Sequence, residues 1–286
     1  MPGTITVGLD GADPSLAAAD WAAAEAARRG LRLRLVHVRR PDFASDAVTD
    51  DDRRWTESVL REGEARIARS VHGLPVEAAV VDGEPVGVLA AEVSRSVMLV
   101  LGSRGHGALV GHLLGSVSLG VLREARGPVV VVRGLRPSDA ARRRDEVLVG
   151  VQDTRGSGAP LLEFAFASAA ARGAVLRAVR AWSAPNTLAW SPGAIWLAQD
   201  PDGLAATHRR ELAEALRPWQ ERYPEVDVVQ RVESGPASEV LLSHCHRAAL
   251  VVVGRRARDG APHRVGAVTH AVLHHAPGPV AVVPHP

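Results

Sequence analysis

Residues 101–118 read LGSRGHGALVGHLLGSVS, with glycines at 102, 105, 107, 111 and 115 among serines, an arginine and histidines. Bare backbone of this kind lets successive N–H groups approach an anion, because no Cβ stands in the way. The apolar run SVMLV precedes the stretch and LGVLREA, a helical pattern, follows it. The start of a helix adds unpaired N–H groups and the positive end of its dipole. The chemistry on offer is the holding of a phosphate. A plain loop is the competing reading.

Three phosphate motifs compete for the stretch. A Walker loop needs Gly-Lys-Ser/Thr, and the chain contains no lysine. A Rossmann fingerprint follows the first strand of its unit. Here Gly105 and Gly107 follow the fourth strand, and Val110 stands where the third glycine belongs. The third spacing is Gly102-x-x-Gly105, nine residues, then Gly115-Ser116. Ser116 can cap a helix, donate to a phosphate oxygen, or do both, since the two roles occupy one place.

The elements that must position these residues are written twice. TITVGLDGADPS near the start resembles EVLVGVQDTRGS, MLVLGSRG resembles LVVVGRRA, and GPVVVVR resembles GPVAVVP, in the same order. An offset near one domain length means a repeat. GLRPSDAARRRDE, with Gly, Pro and an arginine run, reads as the linker. The expected domains are residues 1–136 and 145–286.

Each half alternates short apolar strands with helices, which implies a parallel sheet with helices on both faces. The fold class is α/β, two tandem Rossmann-like domains of five parallel strands each. In the first helix, PSLAAADWAAAEAARR, Asp13 is the expected N-cap, Pro14 opens the helix and Gly30 closes it. Ligands of such sheets bind beyond the carboxyl ends of the strands, where strand order reverses. Asp10, after strand one, and Gly102, after strand four, flank that crevice.

Composition narrows the classes. Hydrophobic residues are 46% of the 286 and aromatic residues only 3%, so the core must be built of Ala, Val and Leu. A net charge of +2 without a basic stripe argues against nucleic acid as a partner. The single Cys245 excludes an internal disulfide framework and suits a reducing compartment. The start MPGTITVGLD lacks the pattern of a signal peptide, and no apolar run reaches the roughly 20 residues of a membrane span. The expectation is a soluble, cytoplasmic protein.

The glycine spacing, the GSRG after strand four, the LLGSVS at a helix start and the GPVVVV strand together resemble the ATP-binding branch of the universal stress protein family. The resemblance spans both halves. It implies that Asp10 approaches ribose and adenine, and that Val38 meets adenine through its backbone. It implies ribose and phosphate contacts for Gly102, Gly105, Gly115, Ser116 and Val117. Arg104 and His106 lie on the loop, where they face either phosphates or solvent. The resemblance further implies ATP as ligand, Mg²⁺ or Mn²⁺ held mainly by its phosphates, and hydrolysis that is slow at most. It also implies that the last strands, Val129–Arg133 and Val280–Val283, pair between domains. An internal pseudo-dimer, a homodimer of chains and an unidentified protein partner follow. The function expected is a nucleotide-responsive stress regulator. The alternative is a partner-binding scaffold without nucleotide.

The second half departs from the pattern. Gln152 stands where Asp10 does, Ala257 replaces Gly105, the stretch to Gly266 is one residue shorter, and Ala267 replaces Ser116. Weak or absent ATP binding is expected there. His244, Cys245 and His246 sit side by side on an expected helix and diverge, so they are not read as a metal site. His270 and His274 are four apart and can chelate, but no carboxylate cluster supports them. Trp182, Trp190 and Trp196 fall in an expected loop of about 182–203, read as a pairing surface.

Overall fold

The computed structural model describes residues 3–40, 49–103, 114–133, 146–154, 156–183, 201–256 and 264–286. The first half runs β1 (Thr4–Gly8), α1 (Asp13–Arg29), β2 (Arg32–Arg39), α2 (Asp50–Ser70), β3 (Val76–Asp82), α3 (Pro85–Glu92), β4 (Met98–Gly102), α4 (Ser116–Glu124) and β5 (Val129–Val132). The second half repeats the scheme as β6 (Glu146–Gly150), α5 (Ala159–Arg172), β7 (Val175–Trp182), α6 (Pro201–Arg222), β8 (Val228–Ser234), α7 (Ala237–His244), β9 (Ala248–Arg256), α8 (Ala267–His275) and β10 (Val280–His285).

Among the described residues the strands form one ten-stranded sheet, in the order β3-β2-β1-β4-β5-β10-β9-β6-β7-β8. Each half is parallel throughout. The halves join where β5 meets β10 antiparallel, with Val131 opposite Val280 and Val129 opposite Val282. Both last strands are therefore interior. Neither is free to pair with a second chain through the sheet. The outer strands are β3 and β8.

Helices cover both faces, which is why the strands read as unbroken apolar runs. All four residues of β5 are buried. One core lies under α1, α2, α5 and α6 and includes Ile5, Ala22, Ile67, Phe166 and Leu212. The other lies under α3, α4, α7 and α8 and includes Leu89, Val121, Val251 and Val272. Each core crosses the β5–β10 junction without a break.

Small side chains let α1 lie close on the sheet, with Ala18, Ala19, Ala22, Ala23 and Ala26 fully buried. Its N-cap is Ala12, with no side-chain cap, and Asp13 and Pro14 are its first two residues. The cap expected at Asp13 is thus displaced by one position. The reason is local: the Asp10 carboxylate already accepts from the Ala12 N–H at 3.0 Å, while the Ser15 hydroxyl donates to the Ala12 carbonyl at 2.8 Å. That turn starts the helix without Asp13. Gly30 ends α1 in the left-handed conformation, φ 62°, as expected.

Two further sequence expectations change. Ser243 and His244 are in α7, but Cys245–Arg247 forms a 3₁₀ turn. Trp182 is the last residue of β7, not part of a loop, because its backbone pairs with Ser234. Trp190 and Trp196 lie outside the described residues.

Candidate functional site

Strand order reverses between β1 and β4, so the crevice opens beyond their carboxyl ends. The two strands are in register, with Val7 opposite Val100. Asp10 follows β1 and Gly102 ends β4, on either side of the opening.

Gly102 has a specific steric reason. A Cβ there would lie 2.6 Å from the Pro14 carbonyl carbon and oxygen and 2.7 Å from the Ser15 nitrogen. The first turn of α1 therefore rests directly on the end of β4. The Gly102 carbonyl accepts from the Ser118 hydroxyl at 2.9 Å. Ser103 N–H donates to Val132 at 2.9 Å, and Gly115 N–H donates to the Ser103 carbonyl at 2.7 Å. These bonds pinch the ends of the glycine loop together and seat the start of α4 at the tip of β4.

Gly115, not Ser116, is the N-cap of α4; it offers no side-chain cap, and the first turn carries no acidic residue. Ser116 is exposed on that turn. The N–H groups at a helix start have no intrahelical partner. Here no carboxylate or cap from the helix itself competes for them, and the dipole favours an anion. Val117 and Val38 both pack partly buried against the α3–α4 core. Val38 pairs with Val81 of β3. His37, just before it, bonds through Nδ1 to the Leu9 carbonyl at 2.8 Å and meets the Trp55 ring edge-on at 5.1 Å. The strand-one exit bearing Asp10 is thereby tied to β2.

The structure thus brings Asp10, Gly102, Gly115, Ser116 and Val117 to one end of the sheet, with Val38 two strands from Gly102. Arg104, Gly105 and His106 lie outside the described residues. Asp10 is engaged in the turn that opens α1, through Ala12 N–H and through its own N–H to Ser15 Oγ at 3.3 Å. Sequence reasoning missed Ser118. Its signal was available: GSVS aligns with GAVT in the repeat, and Thr269 Oγ1 donates to the Gly254 carbonyl at 2.9 Å as Ser118 does to Gly102.

The second crevice keeps this frame. Gly266 caps α8 without a side-chain bond, and a cavity of 330 Å³ is lined by Gln152, Asp153, Gly254, Gly266, Ala267 and His285 among others. The space above Gly254 is taken differently. A Cβ there would lie 2.5 Å from His285 Nε2, at the end of β10. Burial lowers the His285 pKa below its ordinary value. An uncharged ring, with no serine hydroxyl at Ala267, makes a poorer phosphate seat.

Among the described residues, no group of three or more His, Cys, Asp or Glu is placed to hold a metal ion, and no helix is long and apolar enough to cross a membrane.

A family model described as the universal stress protein family matches residues 1–133 and again 143–284. A universal stress protein of Mycobacterium tuberculosis is 36% identical over 305 residues, spanning 97% of this chain and 94% of its own length. One of Mycolicibacterium smegmatis is 35% identical over 291 residues, spanning 98% and 96%. Among solved structures, a universal stress protein from Archaeoglobus fulgidus covers 98% of each chain with a TM-score of 0.73 at 20% identity, a likeness of fold.

Proposed function

We propose a function from one premise: the chain belongs to the universal stress protein family. Its N-terminal domain binds ATP in the crevice between β1 and β4 and acts as a nucleotide-responsive regulator rather than as an enzyme of rapid turnover. One observation carries this reading. The start of α4 presents uncapped N–H groups and the exposed Ser116 beside the tip of β4, with no acid in its first turn. A triphosphate is the complementary group. Gly102, Gly105, Gly115, Ser116 and Val117 hold phosphates and ribose, Asp10 the ribose, and the Val38 backbone the adenine, with Arg104 at the phosphates.

The residues fit a divalent ion only through the nucleotide. Mg²⁺ or Mn²⁺ comes with ATP and neutralises its phosphates, while the chain positions the anion. The second domain is the weaker site, because Ala267 lacks the hydroxyl and His285 occupies the space above Gly254. The paired β5 and β10 form an internal pseudo-dimer; association of whole chains uses another surface.

The test is calorimetric titration of nucleotide-stripped protein with ATP and Mg²⁺. A crevice site is expected that is weakened about tenfold in Ser116→Ala, the effect of one hydrogen bond to a charged group. Asp10→Ala weakens adenosine-bearing ligands without altering the phosphate contacts. Absence of binding at millimolar ATP, or full affinity in Ser116→Ala, overturns the reading and leaves a partner-binding scaffold.

A further inference from the structure

A second place in the molecule is built for anions, and neither half contains it alone. Because β5 and β10 are antiparallel neighbours, α4 and α8 lie side by side on one face of the sheet. Between them runs a groove of 630 Å³. Its polar lining is Arg123 from α4, Arg264 before α8, and His270, His274 and His275 from α8. Among the described residues, no Asp or Glu lines it. Glu124, next to Arg123 in sequence, is exposed and is not among the lining residues. Arg123 and Arg264 have no ion-pair partner among the described residues.

The helix ends sharpen the sign of the field. The carbonyl ends of both helices are covered by arginines reaching from the opposite half. Arg255 of β9 donates to the Ala125 carbonyl at the end of α4. Arg133, after β5, donates to the Leu273 and Ala276 carbonyls at the end of α8, the latter at 3.3 Å. The negative poles are thereby neutralised. The start of α8, with no acid in its first turn and no side-chain cap, lines the groove at Ala267, and Ala267 and Arg264 also line the second crevice.

The His270 and His274 rings are 4.2 Å apart and form the arrangement that chelates a transition metal. The two guanidinium groups, without an ion-pair partner among the described residues, decide against a cation. They suit phosphate oxygens, which a guanidinium binds in a bidentate fork. The volume is that of a small-molecule site.

We propose that the groove between α4 and α8 binds a small molecule carrying two or more phosphate groups, held by Arg123 and Arg264 where the end of α4 meets the start of α8 and by the histidines along α8. The site is distinct from the β1–β4 crevice and does not depend on the function proposed for that crevice.

The probe is inorganic tripolyphosphate, titrated calorimetrically into the full chain at low salt. A site in the groove is expected, weakened at least tenfold in the Arg123→Ala, Arg264→Ala double variant and by added NaCl, and separate from any binding at the start of α4. Both arginines are exposed, so the variant keeps the parent melting temperature. The same loss on the double substitution is expected in a Ser116→Ala background, where phosphate binding in the crevice is itself weakened. No binding at millimolar probe, or undiminished binding on the double substitution both with Ser116 intact and in the Ser116→Ala background, overturns the proposal. So does tight Zn²⁺ binding that His270→Ala abolishes while tripolyphosphate has no effect on the protein.

Discussion

Arg172 at the end of α5 reaches across to Glu25 of α1: Nη1 donates to Oε1 at 3.0 Å, and Nη2 lies 2.6 Å from Oε2. The second contact is an ion pair without hydrogen-bond geometry. Glu25 is fully buried, and Arg29 also donates to its Oε1 at 2.6 Å. The Arg172 guanidinium stacks 5.6 Å from the Trp21 ring, and Arg29 donates to Ser168 at 2.8 Å. Burial pushes the Arg172 pKa down, against the upward pull of Glu25. One carboxylate thus ties helices of both halves on the face opposite α4 and α8.

Removing that carboxylate leaves Arg29 and Arg172 buried together without a counter-charge. Glu25→Ala should lower stability by about 3–5 kcal/mol. Urea unfolding of the full chain measures this. A loss within experimental error would show that the cluster does not hold the halves together.

Glycines on the two sides of the sheet should respond in opposite directions. Gly102→Ala places a Cβ 2.6 Å from the Pro14 carbonyl, which is backbone and cannot rotate away. A destabilisation of about 1–3 kcal/mol is expected, with weakened nucleotide binding. Gly87 is inside α3 with nothing within 4 Å of its would-be Cβ. Gly87→Ala should stabilise by up to about 1 kcal/mol. Thermal melts of the two variants beside the parent decide it.

Cys245 is buried, and its thiol donates to the Leu241 carbonyl at 3.2 Å. Burial alone pushes its pKa up to about 12. The reactive thiolate is therefore absent near neutral pH. Native protein should fail to react with a disulfide reagent at roughly pH 8, and one thiol should titrate after denaturation. Rapid reaction of the native chain would place Cys245 outside the core.

His285 links stability to acid. Its folded pKa is depressed by burial, with Arg256 and Arg255 adding to the effect and Asp153 opposing it. Above the ordinary unfolded value of about 6.5 the ring is neutral in both states and nothing is lost. As pH falls below that value the unfolded chain takes up the proton first, so stability declines until the folded ring also protonates. His285→Gln should show a smaller drop in urea midpoint between roughly pH 7.5 and roughly pH 5.5. An equal drop in both proteins would remove His285 from the acid response.

The alternation of strands and helices, the repeat and the Gly102–Gly115–Ser116 spacing were legible in the chain, because periodicity and turn chemistry are local properties. Position by position, locality also misled. Asp13 resembles a cap, yet the Asp10 turn reached Ala12 first. Trp182 resembles a loop residue, yet β8 extends β7 to meet it. Ser118 was overlooked because its partner, the Gly102 carbonyl, lies in another element.

What the sequence determined by itself is each half: five strands, their helices and a glycine junction where an anion can sit. That the last strands pair between the halves was implied by the family resemblance; what only the tertiary structure decided is the direction and register of that contact. The antiparallel contact of β5 with β10 is a long-range choice that no residue spacing encodes. From it follow the single ten-stranded sheet, the buried Glu25–Arg172 pair, the arginines covering the ends of α4 and α8, and the groove between those helices. Contacts between residues about 140 positions apart, such as Arg133 with Leu273, exist only once both halves are folded against each other.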